Sequence, residues 1–92
     1  MTTRSVTIVN QLGLHARAAA RFVRLASQFG ADVKVTRGGR TLNGKSIMGL
    51  LLLGAACGTT ITIAAEGTDE AGAVDALSAL VHGGFGEETC SN

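Results

Sequence analysis

Runs that alternate every second residue are interleaved with runs that repeat every 3.6, and the alternating runs are all short. Ser5-Val6-Thr7-Ile8-Val9 puts Val6 and Ile8 on one face and Thr7 on the other, the pattern of a strand with one buried face. Asn10 to Gly13 turns the chain. From Ala16 the apolar positions Ala19, Phe22, Val23 and Ala26 keep a helical period with arginines on the opposite side, and Gly30 supplies a stop. Asp32 to Arg37 alternates again, Gly38-Gly39 is a hairpin dipeptide, and Arg40 to Leu42 makes a short return strand. Ser46 is a suitable N-cap for Ile47-Met48-Gly49-Leu50-Leu51-Leu52-Leu53, which reads as a short second helix. A continuous apolar run of this length also fits a strand, but leucines without β-branching and the serine cap favour the helix. Gly54 to Gly58 is a loop, and Thr60 to Ala64 is a strand with Ile61 and Ile63 inward. Thr68-Asp69-Glu70 provides a cap and first-turn acids for a last helix with the buried stripe Val74, Leu77, Leu80 and Val81. Gly83-Gly84-Phe85-Gly86 ends that helix, and Glu87 to Asn92 is expected to be a mobile polar tail.

The element order is therefore β-α-β-β-α-β-α, with strands too few and too short to be covered on both faces. The expected fold is α+β, an open-faced β-sandwich with a four-stranded antiparallel sheet and three helices on one face. The hairpin makes at least part of the sheet antiparallel, while pattern alone leaves the remaining strand order open. At 92 residues without a repeat or low-complexity segment, the chain is expected to be one domain spanning residues 1–92, with a core of small aliphatic side chains.

Two cysteines, Cys57 and Cys90, do not amount to a disulfide framework, and neither has a Cys or His at metal-ligand spacing. A reducing compartment is expected, and no metal or other cofactor. Met1 to Ser5 leads into a strand without an apolar core of the secretory kind, and the run Ile47 to Ala56 is about half the length that spans a bilayer. The expected location is the cytoplasm, away from membranes. Cys57, Cys90 and His82 are assigned no functional role.

Charge is unevenly distributed. Residues 1–31 hold Arg4, Arg17, Arg21 and Arg24 and no acid, whereas residues 32–92 carry net −3. The positive half contains Leu12-Gly13-Leu14-His15-Ala16-Arg17, which places His15 at or beside a helix start. Exposed backbone N–H groups and the positive end of the helix dipole favour an anion there and disfavour a cation. Arg17, Arg21 and Arg24 nevertheless follow at i+4 and i+7 spacing, an arrangement that makes sense if an anion visits. Without Tyr or Trp to stack on bases, so small a patch argues against nucleic acid.

His15 admits three readings. It can be a polar residue at a helix start; a general base, which needs an orienting carboxylate and finds no acid before Asp32; or a nucleophile whose neutral imidazole takes a phosphoryl group. The last uses every odd feature together, since helix N–H groups and Arg17 would meet the developing charge. Arg21 reads more simply as part of a solvated helix face. Ser46 is explained by capping alone, although a phosphate at that helix start is physically tolerated. Ile47, Met48 and Leu51 read as core with some apolar surface left exposed, which could dock a partner.

Gly13-Leu14-His15-Ala16-Arg17, the element Lys45-Ser46-Ile47, and the strand Thr60 to Glu66 leading into Gly67-Thr68-Asp69-Glu70 together resemble HPr, the histidine phosphocarrier family of the bacterial phosphotransferase system. The resemblance covers residues 4 to about 85, and the ending Gly83 to Glu88 looks closer to the nitrogen-related NPr branch. It implies that His15 accepts a phosphoryl group from Enzyme I, charged by phosphoenolpyruvate, and passes it to an Enzyme IIA, with Arg17 stabilising the phosphohistidine. It also implies that Ser46 is the position modified by an HPr kinase/phosphorylase, and that Ala16, Ala20 and Arg24 join Ile47, Met48 and Leu51 in docking partners. The protein would be a carrier without turnover of its own and, at this size, a monomer. Two other readings stand beside it: a regulatory binding module of the same fold acting through Ser46 and the Ile47, Met48 and Leu51 surface, and a small hydrolase using His15, disfavoured for want of a partnered carboxylate.

The family usually places a proline after the arginine, where this chain has Ala18. Alanine restores an N–H in the first helical turn and removes the fixed φ, so residues 12–18 are expected to be more mobile while His15 stays phosphorylatable. Ala18→Pro should slow amide exchange across residues 12–18 and change the phosphotransfer rate; identical values for both would refute this.

Overall fold

The structure is a computed structural model and describes residues 1–90. Strand β1 (Thr2–Thr7) is followed by helix α1 (Ala16–Ala26), the hairpin β2 (Asp32–Arg37) and β3 (Arg40–Asn43), helix α2 (Ile47–Leu53), strand β4 (Thr60–Glu66), helix α3 (Glu70–His82) and a single 3₁₀ turn over Gly84–Gly86. The four strands form one sheet in the order β1-β4-β2-β3, every neighbour antiparallel. This is the open-faced α+β sandwich that the alternation of periods predicts. The strand order is new information: β4, late in the chain, inserts between β1 and β2.

That insertion explains why two strands differ from their sequence-predicted bounds. β4 runs two residues past Ala64 because it is paired on both sides, Thr2 facing Ala65 from β1 and Asp32 facing Glu66 from β2. β1 starts earlier than Ser5 for the same reason, and Ile8 and Val9 leave the ladder. The covered face of the sheet carries Val33, Val35, Ile61, Ile63 and Ala65, none more than 1% exposed. Against it pack Ala18, Ala19, Phe22 and Ala26 of α1, Leu50 and Leu53 of α2, and Ala73, Val74, Leu77 and Val81 of α3, all fully buried. Val23 and Leu80, expected inward, are only partly buried at the edge of this core. The other face is lined by hydroxyl pairs across strands: Ser5 with Thr62 at 3.1 Å, Thr7 with Thr60 at 3.4 Å and Thr36 with Thr41 at 2.9 Å. Hydroxyls there stay compatible with water while β-branched threonines hold the extended backbone.

The start of α3 is built differently from the sequence expectation. Asp69 is the N-cap residue, yet its carboxylate makes no capping bond and instead accepts from the N–H groups of Gly30 at 2.8 Å and Ala31 at 2.9 Å. It thereby latches the α1–β2 connection onto α3. Glu70 does the local work: its carboxylate accepts from the Gly67 N–H at 3.1 Å and the Thr2 hydroxyl at 2.7 Å, and pairs with the N-terminal ammonium at 3.1 Å.

Two expectations about the end of the chain are corrected. Cys57 and Cys90 are joined as a disulfide, their Cα atoms 6.4 Å apart, within the span such a bond requires. Glu87 to Cys90 is a strap held by backbone bonds: Gln11 N–H donates to Glu88 O at 2.8 Å, Cys90 N–H donates to Val9 O at 2.7 Å, and Asn10 bridges to Thr89. Residues 91 and 92 of the expected tail lie outside the described residues. The cause is the chain just after β1. Ile8 N–H donates to Thr59 O at 2.8 Å and Gly58 N–H donates to Ile8 O at 2.8 Å on one side, and the strap pairs on the other. A polar composition signals exposure, but main-chain pairing of this kind is independent of side-chain polarity.

The hydrogen bond from Thr2, then those from Gly67 N–H and the terminal ammonium, hold the Glu70 carboxyl down to about 2 against burial that raises it. Because its folded value lies below the ordinary 4.5, this group's stabilisation is present above pH 4.5 and is lost as pH falls toward 2. Glu70→Gln should be less stable than the parent at neutral pH, and the gap should close at pH 2; acid unfolding followed by circular dichroism measures both.

Candidate functional site

The turn before α1 is pinned from below. Gly13 has φ +67°, and a Cβ on it would stand 2.7 Å from the Ala55 carbonyl oxygen, so glycine is required on both counts. Leu14, 5% exposed, sends its side chain into the core and its N–H to Ala55 O at 2.9 Å. Both side-chain donor hydrogens of the fully buried Asn10 are used here, on Gly13 O at 2.7 Å and on a carboxylate oxygen of Glu87 at 3.0 Å. Reversing that amide would set Oδ1 against two oxygens, so it stays put, and Oδ1 has no partner among the described residues.

These anchors present His15 as the N-cap itself, extended at φ −81° and ψ −179°. Its Nδ1 accepts from the Arg17 backbone N–H at 3.3 Å, and its Nε2 lies 2.9 and 2.8 Å from the two carboxylate oxygens of Glu87. An Nδ1 that accepts carries no proton, so the proton sits on Nε2 and is donated to Glu87. The imidazole side chain is about one-quarter exposed (26%) and the Glu87 carboxylate 12%. The hydrogen bond from His15 lowers the Glu87 carboxyl below the usual carboxylate range; Asn10 and the Arg21 charge assist, while burial opposes.

Glu87 is the orienting carboxylate whose absence counted against a general base at His15. It lies 72 residues away in sequence, inside the segment expected to be mobile, so nothing local to the histidine could reveal it. Arg21 also departs from expectation. It is half-buried, and its guanidinium donates to the Phe85 carbonyl, gripping the turn that carries Glu87. Arg17 is exposed, and among the described residues its guanidinium has no hydrogen-bonded or ion-paired partner. Beside the histidine lies a cleft of about 370 Å³ lined by Gln11, Leu12, Arg17, Arg21, Gly86, Glu87 and Glu88.

The remaining sequence-predicted residues fall on and around α1 and α2, which pack together. Ala16, Ala20 and Arg24 share one side of α1 by their spacing, with Ala16 and Arg24 exposed and Ala20 half-buried. On α2, Ile47 is 42%, Met48 68% and Leu51 38% exposed. Leu52 at 55% and Leu12 at 69% extend the exposed apolar set, and neither stood out in the sequence because periodicity marks buried faces, not bare ones. Ser46 caps α2, its Oγ accepting from the Gly49 N–H at 3.1 Å. Among the described residues no helix is long and apolar enough to cross a membrane.

A lone oriented histidine at a helix start, on an open-faced sandwich beside a shallow cleft, defines a class of small proteins that can carry a group. Comparison with known families agrees. The family model for the PTS HPr component phosphorylation site matches residues 2–82. The chain is 52% identical over 87 residues to the phosphocarrier protein HPr of Neisseria meningitidis serogroup B, covering 95% of this chain and 98% of that one. It is 45% identical over 84 residues to the phosphocarrier protein NPr of Shewanella violacea, covering 91% and 92%. Among solved structures, HPr-C-His from Thermoanaerobacter tengcongensis superposes with a TM-score of 0.92 at 43% identity, covering 96% of this chain and 99% of that one. The chain belongs to the HPr family of phosphocarrier proteins of the bacterial phosphotransferase system. Proteins of this family are carriers, not catalysts.

Replacing the charge while keeping the shape tests the geometry. Glu87→Gln should leave the fold intact but loosen the ring, because a neutral amide oxygen accepts the Nε2–H more weakly than a carboxylate does. Nitrogen-15 shifts of the ring, which report the tautomer, should then show a smaller excess of the Nε2–H form than in the parent.

Proposed function

We propose that His15 accepts a phosphoryl group on Nδ1 from Enzyme I, itself charged by phosphoenolpyruvate, and passes it to an Enzyme IIA. The observation that carries this reading is the pair of contacts that divides the two ring nitrogens, Nε2–H on Glu87 and an unprotonated Nδ1 facing the first N–H groups of α1. The lone pair of Nδ1 attacks phosphorus, the bond from phosphorus to its donor breaks, and the ring becomes a phospho-imidazolium whose Nε2–H stays on the Glu87 carboxylate. The Arg17 N–H that orients Nδ1 turns to a phosphoryl oxygen. The dipole of α1 and the Arg17 guanidinium meet the remaining charge. Delivery to the acceptor runs the same steps in reverse.

Docking of both partners falls to Ala16, Ala20 and Arg24 of α1 with Ile47, Met48 and Leu51 of α2, an apolar and basic surface beside the histidine. Ser46, at the edge of that surface, is the position at which an HPr kinase/phosphorylase would act, and a phosphate there would sit against the docking face. We place the protein in the cytoplasm as a monomer without nucleic-acid or membrane contacts, serving sugar uptake or nitrogen-related regulation. The exposed residues of α2 also support a second reading, a regulatory module that binds through this surface and Ser46 without obligatory phosphotransfer.

Incubation with phosphoenolpyruvate and a cognate Enzyme I separates the two. An acid-labile phosphate that is lost in His15→Ala supports the carrier, and its complete absence overturns it. In cell extract with ATP, an acid-stable phosphate lost in Ser46→Ala supports the regulatory module.

A further inference from the structure

We infer that Cys57 and Cys90 form a reversible oxidation site, a dithiol whose closure by a low-molecular-weight disulfide ties the Glu87–Cys90 strap down and keeps Glu87 on His15. The inference rests on His15 being the phosphoryl acceptor. It starts from backbone geometry that brings the two cysteines together. The Ile8–Val9 segment holds the Gly58 N–H on Ile8 O at 2.8 Å and the Cys90 N–H on Val9 O at 2.7 Å. Gly58, the neighbour of Cys57, and Cys90 are thus seated on adjacent carbonyls, which brings the two cysteines, 33 positions apart in sequence, to a Cα separation of 6.4 Å. Both cysteines are partly exposed, so a small disulfide can reach them.

The strap has two ends. At one, Phe85 is buried to 1% exposure in the positive-φ conformation of +56°, and Arg21 grips its carbonyl. At the other is Cys90. Between them Glu88 and Thr89 are exposed and contribute only the bonds to Gln11 and Asn10. A segment with so little buried apolar surface opens locally at low cost, and a covalent tie at its free end raises the effective concentration of Glu87 at the histidine. With both ends held, Glu87 keeps Nε2 protonated and Nδ1 free. With one end released, it spends part of its time away from the ring.

The chemistry balances as thiol–disulfide exchange. The thiolate of one cysteine attacks an external disulfide such as oxidised glutathione, forming a mixed disulfide and expelling one glutathione thiolate. The second cysteine thiolate attacks the protein sulfur of that mixed disulfide, closing Cys57–Cys90 and expelling the second. The two protein thiols lose two electrons and two protons, and one external disulfide becomes two thiols. In a reducing cytoplasm the dithiol is the resting form, and oxidised glutathione shifts it.

The test compares the full chain after treatment with oxidised glutathione or with dithiothreitol, alongside Cys57→Ser/Cys90→Ser. Oxidation should remove two titratable thiols, increase the hydrogen-exchange protection of the Gln11 and Cys90 amides, and speed phosphate acceptance from phosphoenolpyruvate and Enzyme I severalfold. The double variant should match the reduced parent under both treatments. Glu87→Gln should still form the disulfide while its acceptance rate no longer depends on it. Two thiols that persist in oxidised glutathione, amide protection that reduction leaves unchanged, or equal rates in the two forms would each overturn the inference. Phosphate entering neither form overturns the carrier reading and, with it, the effect on acceptance; failure of the cysteine site is told apart from this, because there the two thiols persist and amide protection is the same in both forms while phosphate still enters.

Discussion

One imidazole ring joins the start of α1 to the far end of the chain. Nδ1 of His15 takes the helix's Arg17 N–H and Nε2 gives its proton to Glu87, so the ring is both the cap of a helix and the seat of a strap. Each contact needs the other. Without the carboxylate the tautomer is free to switch, and without the cap the ring is free to turn away from the helix. The nitrogen with a free lone pair is selected by where the proton is held, and the proton is held by a residue from another part of the fold.

That ring is only as steady as its support. Leu14 in the core, the glycine backbone of residue 13 pressed on Ala55, and the buried Asn10 amide bonded both to the turn and to Glu87 make a rigid platform at the end of the sheet. The platform is continuous with the strand ladder through Ile8, whose backbone pairs with the loop after α2. The sheet, the loop and the strap therefore converge on the turn that carries the histidine. Arg17 stands apart from this network, exposed at the rim of the cleft, which leaves its charge available to an incoming anion. Arg21, with the same charge and one turn further on, is drawn into the structure by the Phe85 carbonyl. Two similar side chains acquire different tasks through what lies opposite them.

The face built from α1 and α2 follows a simpler logic. Leu50 and Leu53 fill the core, and Met48, Leu51 and Leu52, which lie off that buried line of α2, are left exposed. A helix of seven residues that is apolar all round cannot bury every side chain against one sheet. The exposed remainder lies beside the histidine because α2 packs on α1.

Alternation of period was enough to foretell all seven regular elements, the one-sided sheet and most of the core, because hydrophobic burial on a strand or helix repeats with the element's own geometry. The unbalanced placement of arginines also put His15 at a helix start, where the structure finds it as the N-cap of α1, since the signals of a helix terminus are near-neighbour properties. Three features depended on residues far apart in sequence: the insertion of β4 between β1 and β2, the carboxylate of Glu87 on the ring, and the meeting of Cys57 with Cys90. Strand order and strap docking are settled by main-chain hydrogen bonds and shape, and these carry no signature in side-chain hydropathy. Near-neighbour chemistry in the sequence was enough to single out the histidine at a helix start, whereas the distant carboxylate that holds one of its ring nitrogens and leaves the other's lone pair free is brought there only by the fold.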